Sequence, residues 1–281
     1  MALARDDDRP VGQPDDERLV PVSPRHSVRL AREYLAVLDK APRRDYVVRT
    51  ITRREANGLP LMSAEIVIAS AETRQAFPLA ATYPLHFRKT YFPARLHGDP
   101  AIEYARQAEA SELAGLPPPI GHDDQSFRSC LVPGTPYSRL SPFVANQEDA
   151  ALRTARELPL ASAVGLYQLA EQGFELVMAL QRGGLSHGDV ELHNFIVCPS
   201  PLEIVLIDFE AGARKDELSE TEWATRCRAD VMPLLREAVL LECRLGPQPS
   251  AFADLARERL DELFKDAERF RREIAEQTSL G

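Results

Sequence analysis

Long apolar runs are missing from this 281-residue chain, and so is any excess of positive charge. No window approaches the ~20 apolar residues that cross a bilayer, so no membrane span is expected. The opening Met1-Ala-Leu-Ala-Arg-Asp-Asp-Asp8 holds no apolar core of the length a secretory leader needs. The net charge of −9 disfavours nucleic acid or an anionic membrane as the main partner. The four cysteines (Cys130, Cys198, Cys227 and Cys243) include no Cys-x-x-Cys pair. A zinc site or a disulfide framework is therefore not expected, and reduced thiols in a cytoplasmic setting are the simpler reading. Glycine is also scarce: between residues 42 and 90 only Gly58 occurs, so the N-terminal half has no glycine-rich loop.

What is present is the composition of an ordinary globule, with 44% hydrophobic and 27% charged residues. A chain of this length buries roughly three quarters of its unfolded surface and suits one two-lobed domain or two small ones. Residues 1–25, rich in Asp, Arg and Pro, read as a disordered tail. Residues 26–41 put Val28, Leu30, Ala31, Tyr34, Leu35 and Leu38 near one helical face. Strands are then expected at 46–52, 66–68 and 85–92, with Asn57-Gly58 as a turn signal. A helix is expected over 99–116, with Ile102, Ala105, Ala108 or Glu109, Glu112 and Leu113 at three-to-four spacing and Pro117-Pro-Pro119 as its stop. A further strand follows at 127–132. The rest reads mainly as helix, at 147–157, 163–182, 220–243 and 251–277, with two short strands at 195–197 and 204–207. Strands first and helices second imply an α+β fold of two lobes: an N-lobe over 26–133 and a helical C-lobe over 134–281.

The most informative string is Leu185-Ser-His-Gly-Asp-Val-Glu-Leu-His-Asn-Phe-Ile-Val197, followed by Ile204-Val-Leu-Ile-Asp-Phe-Glu210. It places Asp189, Asn194 and Asp208 around two apolar runs. Phosphoryl transfer needs a carboxylate to orient the attacking hydroxyl, oxygen ligands for Mg²⁺ and a cation on the phosphates. Asp189 can accept a hydroxyl proton, while Asn194 and Asp208 carry the hard oxygens that Mg²⁺ prefers. A second His-Gly-Asp, at 97–99, has Tyr104 five residues on and no Ile-Asp-Phe after it, so Asp99 reads as a helix N-cap. His187 reads as a packed structural histidine, and His193 has no evident role.

The string resembles the protein-kinase-like superfamily, and within it the small-molecule branch of aminoglycoside phosphotransferase and lipopolysaccharide (Kdo/heptose) kinase types. The resemblance implies a two-lobed protein-kinase-like fold and an ATP- and Mg²⁺-dependent kinase that moves the γ-phosphate to a hydroxyl acceptor, a small molecule or glycan. It makes Asp189 the catalytic base, Asn194 and Asp208 the metal ligands, and Asp208 the acid of a DFG-like motif in which Glu210 replaces Gly. Lys89, in Phe87-Arg-Lys-Thr-Tyr91, sits where the phosphate-binding lysine of the third strand belongs; Arg88 is its rival, and strand alternation turns the two to opposite faces. Glu109 fits the helix glutamate that pairs with this lysine, with Glu103 and Glu112 as alternatives on the same segment. Asp230 resembles the buried acid that holds the catalytic loop, and Cys130–Pro136 resembles the hinge between lobes.

Several positions depart from the pattern. Without a glycine-rich loop, either residues 54–60 or 71–75 must cover the phosphates. Glu191 stands where serine/threonine protein kinases usually carry Lys, and Gly188 replaces the Arg of His-Arg-Asp. Only 21 residues separate Asp208 from Asp230, too few for a long peptide-docking segment. A nucleotide-binding pseudokinase and a serine/threonine protein kinase remain the alternative readings. The expected partners are a nucleotide and a hydroxyl-bearing substrate, and either the N-terminal helix or the C-terminal helix could dock a protein partner.

Overall fold

The computed structural model describes residues 41–56, 59–92, 98–144, 147–199 and 202–279. The expected tail, the N-terminal helix and the Asn57-Gly58 turn lie outside the described residues.

The N-terminal part is an antiparallel sheet of five strands: β1 (Tyr46–Ala56), β2 (Leu59–Ile68), β3 (Leu85–Tyr91), β4 (Pro119–His122) and β5 (Ser126–Cys130). Their spatial order is β1-β2-β3-β5-β4, so β3 lies at the centre. Two short helices that the sequence reading missed, α1 (Ala71–Ala76) and α2 (Pro78–Thr82), link β2 to β3. Ser70 caps α1 by accepting the Thr73 N–H at 3.1 Å, and Pro78 opens α2. Residues 71–75, one of the two candidates for a phosphate-covering loop, are thus helical.

Strand alternation gives the sheet two unlike faces. One carries Met62, Ala64, Phe87, Lys89, Tyr91 and Phe127, an apolar cluster with one cation in it. The other carries Glu65, His86, Arg88 and Arg128, drawn together by Asp45. The Asp45 carboxylate accepts Ser70 N–H, Thr73 O–H and both arginines at 2.7–3.1 Å. Burial alone would raise its pKa, but these hydrogen bonds and the Arg128 charge outweigh burial and hold it down to about 2.

Helix α3 (Pro100–Ala114) covers the apolar face. Asp99 is its N-cap, accepting Ala101 N–H at 2.8 Å, and Gly115 ends it in the left-handed conformation. Its buried residues are Pro100, Glu103, Gln107 and Ala110, while Ile102 is 47% exposed. The apolar spacing picked the wrong face here. At roughly 100° per residue, Glu103, Gln107 and Ala110 form one stripe, and Glu109 lies about 120° around the helix from Glu103.

The C-terminal part is mainly helical: α4 (Glu148–Glu157), α5 (Leu160–Arg182), α6 (Glu220–Leu245), α7 (Ala251–Glu258), α8 (Leu260–Leu263) and α9 (Ala267–Ser279). The α5 stripe of Leu166, Leu169, Ala170, Phe174, Val177 and Leu180 is buried as its spacing predicts. The single helix expected over 251–277 is instead three. The chain breaks near Arg259 and becomes extended at Phe264, whose ring stacks on Phe270 with centroids 3.9 Å apart. Arg236 captures the Leu263 carbonyl freed by the break, at 3.0 Å. Phe252, Phe270 and Ile274 all enter the main core. Two further sheets are small: β6 (Thr135–Pro136) with β8 (Phe195–Pro199) and β9 (Leu202–Leu206), and β7 (Leu185–Ser186) with β10 (Ala213–Arg214). All four cysteines are free thiols. No helix among the described residues is long and apolar enough to cross a membrane.

A buried acid ties the helices together. Tyr137 Oη lies 3.1 Å from both the Leu166 carbonyl and Glu237 Oε1. The phenol has one proton, so both contacts are satisfied together only when Glu237 is protonated. Burial pushes the Glu237 pKa up to about 7, against the lowering effect of Ser141, Tyr137 and Arg236. A folded pKa above the unfolded value stabilises fully below pH ~4.5 and loses that contribution as pH rises through ~7. Urea melts at pH 5 and pH 8 should therefore show lower stability at pH 8, and Glu237→Gln should reduce that difference by on the order of 2 kcal/mol. An unchanged slope in the variant would refute the assignment.

Candidate functional site

The loop after α5 is built around Asp230. From within α6, its carboxylate accepts the backbone N–H groups of His187 and Gly188, both at 2.9 Å. Burial raises the Asp230 pKa to about 6, although both bonds favour the ionised form. His187 is buried and meets Phe209 edge-on at 4.7 Å. The Asp189 N–H donates to His187 Nδ1 at 3.3 Å, which leaves the ring proton on Nε2 for the Ile207 carbonyl at 2.9 Å. This is a neutral imidazole, and burial lowers its pKa accordingly. His187 is a structural bridge between the loop and β9.

Gly188 has φ of +78°, and its missing Cβ makes room for Arg226. A Cβ there would lie 2.3 Å from Arg226 Nη1 and 2.5 Å from the Ala211 carbonyl oxygen. Arg226 Nη1 donates to that carbonyl at 2.9 Å, so α6 holds the chain after Asp208 directly against the loop that carries Asp189. The resemblance marked Gly188 only as a departure from the arginine of the His-Arg-Asp pattern. It did not show that an arginine from α6 occupies the space.

Asp189 is exposed, and Asn194 is buried behind it. Asn194 Nδ2 donates to the Asp189 carbonyl at 2.9 Å and reaches Asp189 Oδ2 at 3.4 Å, which leaves the amide Oδ1 for other use. Asn194 and Asp208 flank the β8–β9 hairpin, in which Phe195 pairs with Leu206. The Ile207 N–H closes the open end on the Asn194 carbonyl at 3.0 Å. Buried Phe195, Ile196, Val197, Ile204, Val205 and Leu206 make this base rigid. Asp208 itself has φ of +70°, the one non-glycine among the described residues in that region, at a cost of about 1–2 kcal/mol.

That strained residue meets the sheet. Lys89 Nζ lies 2.7 Å from Asp208 Oδ1, 2.7 Å from Glu210 Oε2 and 3.4 Å from Glu103 Oε1. Lys89 is 3% exposed and Glu103 1% exposed. Burial alone would lower the lysine pKa; the carboxylates, Glu103 first, outweigh it and keep the ammonium charged. Burial raises the Glu103 pKa to about 7, opposed by Lys89. Tyr91 donates its hydroxyl to Glu103 Oε2.

Asp189, Asn194, Asp208 and Lys89 thus fall in one region, but Glu109 does not join them. Its carboxylate faces Arg106 and Arg214, each at 3.9 Å. The glutamate beside the lysine is Glu103, because α3 turns its polar stripe inward. A sharper reading of the sequence would have started from Asp99: with the cap fixed, Glu103 lies one turn in.

The donor set suits Mg²⁺ bound partly by a nucleotide. Among the described residues no three His, Cys, Asp or Glu side chains form a ready-made metal cage. Mg²⁺ does not require one, since it usually takes one or two protein oxygens together with phosphates and water. Asp208 keeps 39% of its side chain exposed, and three carboxylates surround one ammonium, so local charge favours an added cation.

No protein family matches the chain, and no curated protein matches it. Among solved structures it is similar to the Cydia pomonella granulovirus kinase PK-1, with a TM-score of 0.37 and 10% identity over 68% of this chain. The chain spans 60% of that protein's length.

The geometry separates the two glutamates experimentally. Glu103→Ala should cost about 2–3 kcal/mol in urea unfolding, because it removes a buried partner from Lys89 and from Tyr91. Glu109→Ala should stay within about 0.5 kcal/mol of the parent. The reverse order would restore Glu109 to the site.

Proposed function

We propose that the protein is a phosphotransferase of protein-kinase-like fold that uses ATP and Mg²⁺ to phosphorylate a hydroxyl on a small molecule or glycan. The observation carrying this reading is the contact of Lys89, at the centre of the sheet, with Asp208, at the end of the hairpin whose other flank is Asn194. Lys89 is 119 residues from Asp208 in sequence, and their contact brings its charge to the stretch that carries Asp189 and Asn194, the groups whose chemistry phosphoryl transfer requires.

Each residue then has a task. Asp189, exposed beside a rigid loop, orients the acceptor hydroxyl and takes its proton. Lys89, steadied by Glu103, presents its charge to the nucleotide phosphates. Asn194 Oδ1 and Asp208 would hold Mg²⁺, which when bound neutralises the phosphate oxygens. Asp230 and Arg226 keep the loop and the segment after Asp208 in register. The free thiols fit a cytoplasmic setting. The short stretch between Asp208 and α6 favours a small acceptor over a polypeptide.

The test uses labelled ATP with and without Mg²⁺, first for slow hydrolysis and then with sugars, lipids and proteins as acceptors. Asp189→Ala should lower turnover by at least about 10²-fold with an unchanged melting midpoint, since the side chain is exposed. Retained turnover would refute the role. A nucleotide-binding module without turnover is the second reading, favoured by the lack of glycine between residues 42 and 90 apart from Gly58. It predicts stabilisation of about 2.7 kcal/mol at 100-fold excess of nucleotide over Kd, with no transfer.

A further inference from the structure

The Lys89 ammonium has three N–H bonds to give. Three carboxylates stand within ion-pair reach of it: Asp208 and Glu210 at 2.7 Å and Glu103 at 3.4 Å. An arriving phosphate therefore meets a cation whose donors are already engaged. Glu103 is sealed in and bonded by Tyr91, so it stays. Asp208 has a duty toward the metal. Glu210 carries no such duty in the proposed function, and its side chain is 21% exposed, within reach of solvent. It sits in the short turn Phe209–Ala211, in a place shaped for it. Gly98, at φ +109°, packs so close that a Cβ there would lie 2.8 Å from Glu210 Oε1 and 2.4 Å from the Tyr91 ring. A carboxylate and a phosphate share sign and accept from the same donor.

We infer that Glu210 holds, on Lys89, the position a nucleotide phosphate would take, and that nucleotide binds by exchanging a phosphate for this carboxylate. The inference rests on the nucleotide reading above. Glu210→Gln keeps the shape and removes the charge, so it weakens the resident competitor.

The experiment is calorimetric titration of parent, Glu210→Gln and the control Glu109→Gln with ATP alone and with ATP plus Mg²⁺, with thermal melts to confirm folding. Glu210→Ala serves as a second variant. Glu210→Gln should bind ATP about tenfold tighter than the parent, while the control is unchanged. Binding by the variant where the parent shows none would support the exchange in its strongest form. Equal or weaker affinity in both Glu210 variants would overturn the exchange and leave the nucleotide reading standing; weaker affinity only with Mg²⁺ would overturn it too, making Glu210 a metal ligand. No binding by any form would overturn the exchange and the nucleotide reading together.

Discussion

Everything in the candidate site depends on one buried charge. Lys89 stands on the central strand, on an apolar face, nearly out of contact with water. An isolated ammonium there would be prohibitively costly. The carboxylates that make it tolerable come from α3 and from the end of β9, so satisfying one cation fixes the sheet, the helix and the hairpin relative to each other. Removing a partner from such a group costs more than the contact itself contributes, because the remaining charge stays buried.

A second constraint works through the backbone. The loop carrying Asp189 has no regular secondary structure, and its N–H groups need acceptors. Asp230 supplies two, and His187 supplies a third through its ring. The ring in turn donates to Ile207, next to Asp208. The acid proposed to orient the acceptor and the acid proposed to hold metal are thereby joined through one neutral imidazole.

The fold was legible where pattern and burial agree. The α5 stripe, the Asp99 cap and the β8–β9 hairpin follow from periodicity, capping chemistry and apolar runs, whereas the place of Asp230 was implied only by the resemblance. Helix α3 was misread because its outward face holds Ile102 while its inward face holds Glu103 and Gln107. An apolar stripe is a poor guide where a helix buries charge to satisfy charge. The C-terminal helix was read as continuous because its apolar positions fit a helical spacing loosely, and the break at Phe264 is met by Arg236, a residue distant in sequence. Arg226 lying over Gly188 was invisible for the same reason. The α1–α2 pair was missed because both helices are too short for periodicity to register.

The eleven residues from Asp208 to Leu218 are fastened along their length. Lys89 grips Glu210, Arg226 grips Ala211, β10 pairs with β7, Lys215 N–H bonds the Gly184 carbonyl at 2.8 Å, and Arg106 of α3 pairs with Glu217. Such a strap has little conformational freedom left to surrender when a ligand arrives. The entropic toll of ordering this backbone is met once, during folding, so a change of partner at the Glu210 side chain leaves the chain around it in place.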